Sequence, residues 1–135
     1  MPTSDNRARR GHGLAAAFGY AFDGFAAAWQ TQPNLRIHAV VAAVVVAAGI
    51  VARLPLWAWT AIAFAIALVV TTELVNTAIE SLVDLASPGE HPLARRAKDV
   101  SAAAVLISVL GAVAVGLLIA AWAAARAGGA SPGMI

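Results

Sequence analysis

Long uncharged stretches dominate the chain. Residues 54–72 carry no charge over 19 positions and residues 100–125 none over 26. Each meets the roughly 20 residues that a hydrocarbon core of about 30 Å requires of a spanning helix. A third run, residues 39–52, has 14 uncharged positions. Extended back through Leu35, Arg36, Ile37 and His38, it is long enough if Arg36 snorkels to the headgroups. The pattern predicts three spans at about 35–53, 55–85 and 97–125, with Pro55 opening the second after a tight turn at 53–54.

Ahead of them, Leu14, Phe18, Ala21, Phe22, Phe25 and Trp29 recur at helical spacing. Tyr20, Asp23, Gly24 and Gln30 lie mostly elsewhere on the wheel. This predicts an amphipathic helix over 13–31 lying in the membrane interface, the alternative being an imperfect first span. The fold class is therefore an all-α membrane protein of one domain, residues 13–126, between disordered tails at 1–12 and 127–135.

Composition agrees with this. Apolar side chains make up 61% and charged ones 12% of the 135 residues, whereas a soluble domain has roughly a quarter charged. Cysteine is absent, which excludes disulfides and thiolate metal sites. No basic stripe interleaved with aromatics suggests a nucleic-acid partner. Seven of the nine basic residues (Arg7, Arg9, Arg10, Arg36, Arg95, Arg96, Lys98) fall in the N-terminal region or in the connection between the second and third long uncharged runs. Only Arg53 and Arg126 oppose them. The positive-inside rule then predicts a cytosolic N-terminus and a cytosolic 86–97 loop. Ala104, Ser108, Ala112, Gly116 and Ala120 form a ridge of small residues on the third span, of the kind that favours close helix approach.

The chemistry concentrates at the end of the second span. At about 100° per residue, Glu73, Asn76, Thr77, Glu80 and Asp84 fall within about 100° of arc, while Leu74, Val75, Ala78 and Leu82 point away. A helix rising about 1.5 Å per residue from Pro55 leaves the hydrocarbon near residue 75. Glu73 and Asn76 are thus expected at its edge, with Glu80 and Asp84 beyond. Carboxylates at such a depth are functional candidates, because they are costly unless paired, hydrated or metal-bound. The competing reading is that they pair with Arg95, Arg96 or Lys98. The loop that follows, Ser87-Pro-Gly-Glu-His-Pro-Leu93, presents backbone groups, and Lys98 offers a point charge for phosphate. No Walker loop or Gly-rich kinase motif is present, which excludes a soluble kinase fold.

Glu73-Leu-Val-Asn76-Thr-Ala-Ile-Glu80, Asp84 and Ala97-Lys98-Asp99-Val-Ser-Ala-Ala-Ala-Val-Leu resemble the signature of the prokaryotic diacylglycerol kinase family, which includes undecaprenol kinases. Gly19-Tyr20, Gly24, Ala28-Trp29 and Asn34-Leu-Arg36-Ile-His38 match upstream, so the resemblance covers roughly residues 13–122. It implies a homotrimer of three-span subunits in the bacterial inner membrane. Active sites would lie at cytosolic subunit boundaries and transfer the γ-phosphoryl group of ATP to a lipid alcohol with Mg²⁺. By position, Glu73 is implied as general base and Glu80 as the metal-holding carboxylate, with Gln32 as a second metal ligand. Asn76 and Asp84 would support the site. Tyr20, Gln32, Glu80, Gly89, Glu90, His91, Lys98 and Asp99 would contact the nucleotide, and Trp29, Arg36, Glu73 and Ala102 the lipid. Such roles suit phosphoryl transfer, which asks for positioning and charge neutralisation.

Two positions depart from the family pattern. Gln32 stands where a second metal-binding glutamate is usual and brings an oxygen without a charge. Gly13 stands where a basic residue is usual, with Arg10 a nearby substitute. Ile37-His38 and His91-Pro-Leu-Ala94 resemble the undecaprenol kinase branch more than the enteric one. The alternatives are a catalytically impaired relative and a non-enzymatic membrane scaffold subunit.

Overall fold

The computed structural model describes residues 13–129. The expected tail at 1–12, the end of the tail beyond 129, and Arg7, Arg9 and Arg10 lie outside them. Four helices follow one another: α1 (Leu14–Thr31), α2 (Pro33–Val51), α3 (Leu56–Ala86) and α4 (Pro92–Ala127). Among the described residues there is no strand. Helices α2, α3 and α4 are each long and apolar enough to cross a membrane, and α1 is not among them. The protein is an all-α membrane protein.

Proline sets two of the helix boundaries. Pro33 pushes the preceding Gln32 into an extended conformation (φ −108°, ψ 104°), which stops α1 and starts α2 in one step. Pro92 does the same for α4, where the N-cap His91 also accepts a hydrogen bond from the Leu93 N–H at 3.2 Å through Nδ1. Helix α4 therefore begins five residues ahead of the expected 97, and the 86–97 connection shrinks to residues 87–91. Cap and proline lie inside what the sequence suggested was loop.

The α2–α3 turn closes as a Schellman motif, with Leu54 N–H on Gly49 O (3.1 Å) and Arg53 N–H on Ile50 O (3.1 Å). Arg53 takes the left-handed position at φ 50°, where glycine is the residue without steric cost. Directly beneath the turn, a Cβ on Gly49 would come within 2.9 Å of the Trp59 ring and 3.1 Å of Leu54. This is the close approach that glycine makes possible. The expected ridge on α4 behaves differently. Ser108 is buried and Ala112 and Gly116 line an apolar groove between α2, α3 and α4, but Ala104 and Ala120 are exposed. A Cβ on Gly116 would meet nothing within 4 Å.

Ala58 and Ile62 of α3 and Ile119 of α4 form the buried core, covered by Val45, Leu54, Trp59 and Val115. Large apolar side chains such as Phe64, Leu68, Ile107 and Leu118 remain exposed, as suits a protein whose solvent there is lipid. On α1 the aromatic stripe Phe18, Phe22, Phe25 and Trp29 is likewise exposed, and Ala28 is its buried residue. At the far end of the α3–α4 pair, Trp57 packs edge-on against Trp122 (5.2 Å) and Arg126 lies 5.5 Å over the Trp122 ring. Tryptophans and an arginine at one level match the anchors of a membrane–water interface.

Helix length positions the polar end. At about 1.5 Å per residue, the 31 residues of α3 span about 46 Å and the 36 of α4 about 54 Å. Both exceed a hydrocarbon core of about 30 Å. With the Trp57–Trp122 end at one interface, the C-terminal third of α3 and the start of α4 overhang the other side.

Candidate functional site

The acidic stripe begins at Glu73, at the edge of the hydrocarbon, runs on into the overhang, and faces inward. Glu73 is 1% exposed and Asn76 8%, while Glu80 is half-buried. Helix α3 turns these residues toward α4 and the α1–α2 junction because Leu82, Leu85 and Val75 take its exposed face.

Glu80 lies at the centre of a small network. Its Oε1 accepts from Asn76 Nδ2 at 3.1 Å, and its Oε2 accepts from Gln32 Nε2 at 3.5 Å. Gln32 reaches it because Pro33 fixes the α1–α2 junction at this residue. Asn76 is held from behind by Ser101 of α4, whose hydroxyl donates to Asn76 Oδ1 at 2.6 Å. One turn deeper, Glu73 Oε1 is buried with no hydrogen-bond partner. A buried carboxylate oxygen without a donor costs stability, about 1–3 kcal/mol or more for a charged group. Thr77 caps the Glu73 carbonyl at 2.9 Å. Deeper still, Thr72 and Ser108 join α3 to α4 through their hydroxyls at 2.8 Å.

The loop 87–91 folds over a second, more exposed cavity. Asp84, Gly89, Glu90, His91, Arg95, Lys98 and Asp99 line it together with Val83 and Pro88. Five of the expected nucleotide contacts thus share one cavity. Lys98 is tethered there: its ammonium donates to Asp84 Oδ1. Of the three basic partners considered for the acidic stripe, the structure pairs Lys98 with Asp84. Arg95 faces Asp99 at a loose 3.9 Å, both exposed. A Cβ on Gly89 would meet nothing within 4 Å, so a side chain would fit there without a clash.

The remaining expected residues stand apart within one chain. Tyr20, Trp29, Arg36 and Ala102 are exposed, Trp29 stacking on Phe25 at 6.2 Å, and none of them joins the Glu80 network or the loop cavity. Three polar residues of the site have no polar role assigned by the sequence: Ser101, Thr72 and Ser108, of which Ser108 stands out there only for its small size. Each pairs across α3 and α4, so the signal lies in the register between two helices. Ser101 has one visible cue, since it sits three residues after Lys98 on the same face.

Among the described residues no group of three or more His, Asp or Glu side chains gathers to hold a metal. One carboxylate (Glu80) and one amide (Gln32) approach each other. Gln32 turns Nε2 toward Glu80, so the carboxylate is the oxygen donor this pair offers as it stands, and the Gln32 oxygen would join it on rotation of the amide. Such a set fits a magnesium ion which takes one or two protein oxygens and completes its shell with phosphates and water.

Residues 19–120 match the family described as prokaryotic diacylglycerol kinase. The chain is 41% identical over 104 residues to a diacylglycerol kinase of Synechocystis, covering 76% of this chain and 59% of that protein. It is 39% identical over 90 residues to the undecaprenol kinase of Bacillus subtilis, covering 67% and 73%. With a diacylglycerol kinase of Escherichia coli it shares 38% identity over 102 residues, covering 74% and 82%. The match thus spans less than two thirds of the Synechocystis protein, and more of the other two.

Proposed function

Because the chain belongs to the prokaryotic diacylglycerol kinase family, we propose that it transfers the γ-phosphoryl group of ATP to a lipid alcohol at the cytosolic face of the bacterial inner membrane. The observation that carries this reading is the tiering of α3. A buried carboxylate with an unpartnered oxygen (Glu73) lies about two turns below a half-buried one (Glu80), and the loop cavity opens beyond both. A lipid hydroxyl at the edge of the hydrocarbon and a nucleotide in water meet at such a step.

Glu73 Oε1 is free to accept the proton of the lipid hydroxyl. The hydroxyl oxygen then bonds to the γ-phosphorus, the bond from that phosphorus to the β–γ bridging oxygen breaks, and ADP leaves with that oxygen. Lys98, released from or shared with Asp84, neutralises phosphate charge, and the loop 87–91 with Glu90, His91 and Asp99 encloses the nucleotide. Glu80 and Gln32 would hold Mg²⁺, which when bound draws charge from the phosphate oxygens. Asn76 orients Glu80. A homotrimer would bring Tyr20, Trp29, Arg36 and Ala102 of neighbouring subunits to the same boundary. Of the two lipids named among the relatives, undecaprenol is the proposed acceptor, on the strength of Ile37-His38 and residues 91–94.

The test offers the purified full chain Mg·ATP with undecaprenol and diacylglycerol in parallel and follows labelled phosphate into lipid. Label in undecaprenyl phosphate is expected. Label only in phosphatidic acid would overturn the acceptor. Nucleotide binding without transfer to either would leave an impaired relative. No binding at all would leave a scaffold.

A further inference from the structure

We propose that Ser101 is a positioning residue of this site: through Asn76 it fixes which way the amide faces, and so holds the Glu80 carboxylate ready. The proposal rests on the kinase reading. Ser101 is 6% exposed and Asn76 8%, so water has little part in their pairing. Asn76 presents Oδ1 to one side and Nδ2 to the other, and a half-turn of the amide exchanges them. With Ser101 donating to Oδ1 at 2.6 Å, Nδ2 faces Glu80 Oε1 at 3.1 Å. The flipped amide would set Oδ1 against the Glu80 oxygen, two acceptors in contact.

The serine hydroxyl has a single proton and a second acceptor within reach, the Lys98 carbonyl at 2.9 Å. When that proton points to Asn76, the amide is locked toward Glu80. When it points to Lys98 O, Ser101 can only accept, which favours the flipped amide. Without the hydroxyl, the Glu80 carboxylate alone selects the amide orientation, and the buried Asn76 Oδ1 loses the donor that holds it from the α4 side. Ser101 is also the one side chain in this chain of bonds that comes from α4, the helix bearing Lys98. It thereby ties the carboxylate on α3 to the helix that carries the phosphate-facing lysine.

The test uses the full chain in detergent with Mn²⁺ and a non-hydrolysable ATP analogue, reading the dissociation constant for each variant, alongside kcat and KM for Mg·ATP. Ser101→Ala is expected to weaken binding about tenfold, the scale of one hydrogen bond to a polar network. Ser101→Thr, which keeps the hydroxyl, should restore it to within about threefold on the same scale. In an Asn76→Ala background Ser101→Ala should bring no further loss, because the residue through which it acts is gone. Wild-type affinity in Ser101→Ala, or losses that multiply in the double variant, would overturn the proposal. Should Ser101→Ala not fold, Ser101→Cys, which keeps the volume and offers only a weak S–H donor, gives the same readout. An unmutated chain that binds no Mn²⁺–analogue overturns the kinase reading and this inference with it, whereas binding insensitive to Ser101 overturns the inference alone.

Discussion

Replacing Glu80 with glutamine removes one charge and leaves the shape of the side chain, so it separates the chemistry of the site from its architecture. In the fold, Glu80 accepts from two amides, Asn76 at 3.1 Å and Gln32 at 3.5 Å. A glutamine offers one acceptor and one NH₂, so one of these contacts turns donor against donor. Gln32 can resolve it by rotating its own amide. What is lost is the difference between hydrogen bonds to a charged and to a neutral acceptor, about 1 kcal/mol each. Glu80 is half-buried on the overhanging part of α3, about 36 Å from Leu56 by helix rise, so neutralising it exposes no new surface to lipid. The fold should therefore lose no more than about 1–2 kcal/mol. Transfer should fall by at least about a hundredfold, the scale seen when a group that stabilises transition-state charge is removed. Lipid-dependent phosphate transfer, measured beside thermal unfolding in detergent, reads both quantities. A Glu80→Gln chain with full activity would refute the metal-holding role, and one that no longer folds would refute the structural half of the reasoning.

Glu73→Leu should abolish transfer and at the same time raise the unfolding temperature, because an apolar side chain of similar size replaces a buried carboxylate oxygen that lacks a donor; an unchanged or lower temperature would contradict that accounting. Lys98→Met should raise KM for ATP about tenfold, whereas Asp84→Asn, which breaks an ion pair 38% and 66% exposed, should shift stability by less than about 1 kcal/mol. Steady-state kinetics and unfolding curves check the two. At the α2–α3 turn opposite signs are expected: Arg53→Gly should stabilise by about 1 kcal/mol by relieving the left-handed backbone, and Gly49→Val should destabilise by about 1–3 kcal/mol through overlap with Trp59. Detergent unfolding that moves the two variants in the same direction would contradict this account of the turn.

The spans are legible in the sequence because charge is so costly in hydrocarbon that its absence over 19 or 26 residues points directly to lipid. The acidic stripe is legible too, since Glu73, Asn76 and Glu80 recur at the helical period, and the structure turns them inward. The start of α4 is hidden, because Pro92 and His91 resemble loop residues until the cap they form is seen. Ser101 cannot be recognised from one helix alone. Its role depends on the register between α3 and α4, which is set by packing of Ala58, Ile62 and Ile119 some five turns away. The same holds for Asp84, where three basic candidates are equal in sequence and only geometry selects Lys98. Tyr20, Trp29 and Arg36 are named by resemblance, and a single subunit leaves them outside the network.

The overhang of α3 and α4 also makes the protein a gauge of its own bilayer. The rise between Glu73 and the loop belongs to a stiff rod, whereas the waterline along that rod is drawn by the lipid. Thickening the membrane by a few ångströms would submerge the Glu80 tier without moving a single residue relative to another. Catalysis should then rise and fall with acyl length in reconstituted vesicles, peaking where the surface of the hydrocarbon coincides with Asn76.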